Sequence, residues 1–427
     1  MANISARSEG SAPRDDAAAK RVVFVGGTGR VGSSAAAALV AADPSVQIVL
    51  AGRSAERASV DVKARHPGLT DASFVSMDVA DHASLTAAVE GADLVVHSAG
   101  PFQGGGDGLA VLRACIDRKV PYLDVCDDAG YAKKARAMTN EAKTAGVPAI
   151  TSAGIYPGVS NVMAAEMIAA NAAAAKKAAE EGGDATKAAA ADDVDYVLYN
   201  YFCAGSGGVG TTILATSYML CGEEVVCWDR GEETRCAPAT QRKVVDFGKK
   251  CGKREVFLYN LPETASAREV FGANTVKARF GTSPGVWNLA MTLMASIVPR
   301  EVLLDRSVAS TMAALTAPLV RAVDALVGER TAMRIDTKMA DGTTGSGIYN
   351  HPRLSEAVGD ATAAFAVAML RGETDPGVWY PEEGGALKDR AALLEAAAKG
   401  CDNYQMNKAA WMLESKPINL GFGMYLE

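Results

Sequence analysis

Between residues 21 and 152 the hydrophobic positions switch repeatedly between two patterns. Short unbroken apolar runs rich in β-branched residues lie at 21–25, 46–50, 73–78, 92–98, 121–125 and 148–152. Such runs read as strands buried on both faces of a parallel sheet. Between them, at 33–42, 82–90, 109–118 and 131–145, apolar residues recur every three or four positions, as in helices packed by one face. Strand alternating with helix predicts an α/β fold whose N-terminal domain, residues 21–153, is a Rossmann doubly wound parallel sheet.

After Gly154 the alternation lapses. Strand-like segments at 195–203, 225–228, 256–259, 275–280 and 332–338 mix with helices starting near Val162 and at 211–220, 308–327, 354–371 and 387–399. Residues 154–370 therefore read as a second, mixed α+β domain, followed by a C-terminal segment, 371–427. Two domains also suit a chain of 427 residues. Within the second domain, 171–193 is dominated by Ala, Lys, Glu and Gly and reads as a solvated low-complexity insertion. Residues 1–20 are polar and expected to be disordered, without the apolar core of a secretory signal. The nearest approach to a membrane span is 308–327, which Arg321 and Asp324 interrupt. It reads as a buried or amphipathic helix, and no transmembrane segment is expected.

The first strand feeds straight into Gly26-Gly27-Thr28-Gly29-Arg30-Val31-Gly32. Strand, GxGxxG and helix in this order form a dinucleotide fingerprint. Gly27 serves the tight turn, Gly29 the approach of a pyrophosphate, and Gly32 the close packing of helix on strand. Phosphates would sit on the free N–H groups of the helix start. An NAD site places an acid at the end of the second strand; here stand Ala51, Gly52, Arg53 and Ser54. Without that carboxylate, and with a guanidinium able to pair with a 2′-phosphate, NADP(H) is preferred over NAD(H). A second glycine-rich turn, 205–210, has no following strand with a ribose partner and reads as a packing device.

Ligands of doubly wound sheets bind beyond the carboxyl ends of the strands. That rule gathers Asp78 and the loop Ser98-Ala99-Gly100-Pro101-Phe102 around the same crevice as the glycines and Arg53. Two side chains are candidates for proton transfer. Tyr156 lies where the chain crosses between domains, and Asp124, with Asp127 and Asp128, ends the fifth strand. Each has a plain structural alternative: a packed tyrosine, or an aspartate capping the next helix. His97 reads as a core residue, Cys126 as a nucleophile only with a base beside it, and Asn161 as a helix cap.

A net charge of −7 without a basic stripe argues against a nucleic-acid partner. The eight cysteines form no CxxC pair and the four histidines have no metal spacing, so no zinc site is expected. Reduced thiols fit a soluble protein of the cytoplasm or the chloroplast stroma.

The GGTGxxG start, Ala51-Gly52-Arg53, the 98–102 loop, Tyr122-Leu123-Asp124 and Pro157-Gly158-Val159-Ser160-Asn161 together resemble the saccharopine dehydrogenase-like proteins. Gly377-Val378-Trp379-Tyr380-Pro381-Glu382-Glu383 and Leu420-Gly421-Phe422-Gly423 are similar to a plant and algal branch of that family. The resemblance implies a Rossmann domain, a second domain for substrate and homodimer contacts, and a C-terminal segment packed back on the first. It does not imply the lysine-pathway reaction, since no clear arginine and lysine set for an amino-dicarboxylate is visible. The expected function is an NADP(H)-dependent oxidoreductase transferring a hydride to or from a small or moderately apolar substrate (C=O, C=N or C=C). The alternative is a non-catalytic nucleotide-binding or assembly protein that retains the fold.

Overall fold

The computed structural model describes residues 19–103, 108–181, 190, 192–205, 211–415, 418–421 and 424–426. Of the start expected to be disordered, 1–20, residues 1–18 lie outside them, as do most of the second glycine-rich turn and Phe422-Gly423.

Six strands alternate with helices at the start: β1 (Arg21–Val25), β2 (Gln47–Gly52), β3 (Ser73–Ser76), β4 (Leu94–His97), β5 (Tyr122–Asp124) and β6 (Pro148–Ile150). All pair in parallel, in the order β6-β5-β4-β1-β2-β3. The sheet is buried on both faces: Val22 and Phe24 enter one apolar cluster, Val23 and Val25 another. Strand order reverses between β1 and β4, and the glycine loop sits at that switch point.

The second sheet is mixed. It is built from β7 (Val194–Ala204), β8 (Val225–Asp229), β9 (Glu232–Cys236), β10 (Thr240–Asp246), β11 (Lys253–Leu258), β12 (Thr275–Ser283), β13 (Arg330–Met339) and β14 (Thr344–His351). The chain then sends β15 (Gly377–Trp379) back to the first sheet, parallel to β6, before β16 (Asn403–Lys408) joins the second beside β14. Last comes a small hairpin, β17 (Ile418–Gly421) and β18 (Met424–Leu426).

Three expectations are corrected. The helix read at 131–145 is two, Ala129–Ala137 and Thr139–Ala145. The break frees the Thr139 hydroxyl, which donates to the Val378 carbonyl and accepts from the Val378 N–H, both at 2.8 Å, pinning β15. Residues 171–180, read as part of a solvated insertion, are no insertion but the end of the helix Val159–Glu180, mostly exposed beyond the buried Asn171. And the C-terminal segment, where only the helix 387–399 was read, also supplies β15 and β16. Also unread were the helices Pro262–Phe271 and Gly285–Ile297 and the strands β9, β10 and β14. Strand β9 (EETRC) is largely exposed and β14 (TGSGIYNH) is rich in glycine, so neither shows the alternation expected of a half-buried strand.

The two domains meet through the helix Leu354–Leu370, which packs on Arg30–Ala42. Small residues permit the approach: a Cβ on Gly359 would stand 2.8 Å from the Ser34 carbonyl carbon.

Candidate functional site

The glycine loop has the form that a pyrophosphate requires. Gly26 holds a left-handed backbone (φ +77°), and a Cβ there would meet Ala99 at 2.8 Å. One on Gly27 would meet the Phe24 carbonyl at 2.8 Å, and one on Gly32 the Ser98 Oγ at 2.5 Å. At Gly29 only the Gly26 carbonyl, at 3.1 Å, comes near. The helix Arg30–Ala42 begins at Gly29 with no side-chain cap and no acidic residue in its first turn. Its first N–H groups and positive dipole end therefore suit an anion. These residues fit a dinucleotide, with Gly26 to Gly32 against its pyrophosphate.

Arg53 and Ser54 follow β2 at the same sheet edge, and Arg53 is exposed. The sequence reading missed a third arginine. The helical segments Arg57–Val62 and Lys63–Arg65 bring Arg65 back, where its guanidinium donates to the Thr28 carbonyl (3.1 Å). Burial and the charge of Arg30 both lower the Arg65 pKa, so Arg30 and Arg65 share one neighbourhood beside the loop. Only tertiary folding reveals Arg65, because no motif marks it.

Asp78 is exposed after β3, where its carboxylate accepts from the Ala80 N–H (3.0 Å). Ser98 accepts no guest from the loop; its hydroxyl and N–H both donate to the Val25 carbonyl, fastening the 98–102 loop to β1. Gly100 and Pro101 lie on that loop, partly buried. The Phe102 ring is turned into the core, edge-on to His97 (5.1 Å between centroids) and Tyr131 (5.0 Å). His97 is a core residue, hydrogen-bonded to the Tyr122 hydroxyl (3.0 Å) and pushed down to a pKa of about 3 by burial.

Asp124 is fully buried and accepts from the Cys126 N–H (3.0 Å), the Thr151 hydroxyl (3.1 Å) and the Ser152 N–H (2.7 Å). It ties the β5 and β6 loops together, and burial pushes its pKa up to about 6. Burial also raises the Cys126 thiol well above its ordinary range, the reverse of an activated nucleophile. Asp128 caps the helix Ala129–Ala137 through the Tyr131 N–H.

Asp127 is placed differently. It lines a cavity of about 390 Å³ that starts beside Val31 and Val125 at the edge of the first sheet and runs into the second domain. Its carboxylate accepts from the Gln103 amide (3.2 Å), and burial followed by the nearby Asp128 charge holds its pKa up at about 6. Across the domain boundary Glu223 is pushed up to about 7, mainly by burial and further by Asp128 and Asp127.

Tyr156 forms part of the cavity wall. Its ring stacks on Tyr201 (4.6 Å, 16°), and its hydroxyl is bonded to the Thr331 hydroxyl (3.0 Å). The turn presenting it needs Gly158 (φ +131°), where a Cβ would fall 2.0 Å from the Gly154 carbonyl. Asn161 caps the following helix by accepting from the Gly158 N–H (2.9 Å). Its amide donates to Glu382 (2.9 Å) and Ser266 (3.1 Å). Tyr201 and Ser160 donate to Glu263 at 2.7 and 3.4 Å, completing a buried network under the cavity floor.

Deeper in, the cavity is apolar: Ile213, Leu261, Phe280, Trp287, Met291 and Val320 are among its walls. Among the described residues no lysine or arginine lines it, and no cluster of His, Cys, Asp and Glu suits a metal.

Comparisons with known proteins agree with this geometry. The saccharopine dehydrogenase NADP binding domain matches residues 22–150. Carboxynorspermidine synthase of Vibrio cholerae is 27% identical over 199 residues, 44% of this chain, and the chain spans 43% of that relative's length. Apo saccharopine dehydrogenase (L-Glu forming) from Saccharomyces cerevisiae superimposes with a TM-score of 0.57 at 14% identity, over 91% of this chain and 99% of that one. At that identity the likeness shows the two-domain α/β fold alone. With the fingerprint and the strand order in place, residues 22–150 are an NADP-binding domain of the saccharopine dehydrogenase type, and the chain as a whole is similar to the saccharopine dehydrogenase-like proteins.

Proposed function

We propose that this protein is an NADP(H)-dependent oxidoreductase that transfers a hydride to or from an apolar substrate held in the 390 Å³ cavity. The observation that carries this reading is the position of the cavity. Val31 of the phosphate-binding helix, Val125 and Asp127 line it at the carboxyl edge of the Rossmann sheet, and largely apolar walls from the second domain make up the rest. NADP(H), when bound, supplies the hydride.

The chain's own residues supply the rest. Gly26 to Gly32 hold the pyrophosphate, and Arg53 with Arg30 and Arg65 gives the positive surroundings a 2′-phosphate needs. Asp127 is the group best placed to give or take the proton, since it faces the cavity with a pKa of about 6, near working pH. Tyr156 shapes the wall, its hydroxyl directed to Thr331, and Asp124 positions the loop that carries Asp127. A cavity with no cation among its described residues supports an apolar carbonyl, imine or alkene over an amino-dicarboxylate.

The test begins with titration of the purified protein by NADPH and NADH, then follows NADPH consumption over a panel of apolar aldehydes, ketones, imines and enones. Asp127→Asn should lower kcat by about 100-fold while NADPH affinity stays within about threefold. Tight NADPH binding without turnover over the panel would instead make the chain a nucleotide-binding or assembly protein.

A further inference from the structure

The far walls of the cavity are formed by two helices that are each one layer thick. From Gly285–Ile297, Trp287, Met291 and Met294 face the cavity; from Arg306–Val327, Thr316 and Val320 do. Among the described residues, none covers the large apolar side chains on their opposite faces. Val286, Leu289, Leu293 and Ile297 are between 50 and 73% exposed, and Leu315, Leu319 and Leu326 between 59 and 89%. Large aliphatic side chains in such a row are far beyond the scattered exposure normal on a soluble surface. Leu315, Leu319, Ala322 and Leu326 recur at helical spacing and make one uncharged stripe. Among the described residues Arg306–Val327 is also the helix long and apolar enough to cross a membrane, and only 18% of its most apolar window is buried.

We propose that these two outer faces dock on a lipid surface, and that the substrate of the cavity is a lipophile drawn from that surface between the two helices. This deepens the oxidoreductase reading and its substrate half rests on that reading. Three observations select lipid over another protein chain. The large apolar residues that face outward are Leu, Val and Ile, without the aromatic or methionine anchors that enrich protein interfaces. The apolar outer surface and the apolar cavity lie on opposite sides of the same helices, about 10 Å apart, so a lipophile can pass without crossing water. Arginines and acidic residues are equal in number across 285–327, so docking depends on insertion of aliphatic side chains and requires no anionic headgroup.

Flotation of the full chain with vesicles of pure phosphatidylcholine tests the docking. The expected result is flotation that persists when salt is raised from about 0.1 to about 1 M. The paired variants Leu289→Glu/Leu293→Glu and Leu315→Glu/Leu319→Glu should each reduce it by at least about 10-fold. NADPH affinity, unchanged in both pairs, reports that they are folded, and if one pair misfolds the other still reads the surface. No flotation, or flotation only on anionic vesicles, overturns the proposal. So does a dimer in sedimentation that Leu315→Glu/Leu319→Glu dissociates while vesicles stay unbound, for then the face is covered by a second copy. NADPH turnover of a water-soluble substrate without vesicle binding sinks this inference and leaves the oxidoreductase reading standing. Vesicle binding with no turnover of any vesicle-dissolved aldehyde or enone sinks the reading and the substrate half, and leaves only the docking.

Discussion

Gly32 is the residue at which the fingerprint is most tightly constrained. A methyl group there would press on both the Ser98 Oγ (2.5 Å) and the Gly26 carbonyl (2.7 Å), a backbone oxygen that cannot swing away. Gly32→Ala should therefore cost stability by about 1–3 kcal/mol and weaken NADPH at least about 10-fold, measurable by thermal unfolding and by cofactor titration. Arg53→Ala separates cofactor type from cofactor binding. NADPH affinity should fall by about 10- to 100-fold while NADH affinity holds; equal losses for both would mean that Arg53 does not contact the 2′-phosphate. These positions were legible because the chemistry is local: a seven-residue glycine turn, Gly26 to Gly32, a strand before, a helix after. Asp127 was legible only as one of three aspartates. Which of them faces the cavity depends on hydrogen bonds from Gln103, Thr151 and Ser152, up to 28 residues away.

Among the elements, β15 shows how a segment without its own signal is placed. Three residues, Gly377–Trp379, have too little pattern to read as a strand. They are held against β6 by the paired Thr139–Val378 hydrogen bonds, by Arg136 to Glu383 (2.7 Å), and by Arg136 and Lys143 over the Trp379 ring. Thr139→Val keeps the shape and removes both bonds, leaving the Val378 N–H without its acceptor. It should destabilise the protein by about 2 kcal/mol and speed amide exchange at Val378 first, as hydrogen exchange with mass spectrometry would read. An unchanged exchange rate there would show that the sheet edge is held by other contacts.

At the scale of the whole molecule, the buried carboxyls Glu263 and Glu382 join the C-terminal segment, the helix Val159–Glu180 and the second domain. Burial pushes both from an ordinary value of 4.5 up to about 7. Folding then retains protons that the unfolded chain releases. Their contribution is fully present below about 4.5 and is lost as pH rises toward 7, above which it changes no further. Denaturant midpoints should accordingly fall between pH 5 and pH 7.5 by an amount on the order of 3 kcal/mol, and Glu263→Gln should flatten part of that slope. A slope that Glu263→Gln leaves untouched would place the titrating group elsewhere.

The amino-acid sequence by itself determined the Rossmann half and its cofactor, because hydrophobic period, glycine conformational freedom and the absence of an acid after β2 act over a few neighbouring residues. It also determined that a second mixed domain follows. Only the tertiary structure decided what that domain encloses. The cavity walls come from segments spread between Val31 and Val358, and one wall helix, Gly285–Ile297, went unread in the sequence. The same limit applies to the helix Arg306–Val327. Its apolar composition is plain in the sequence, but whether its leucines meet a core or the outside depends on which neighbours fold against it.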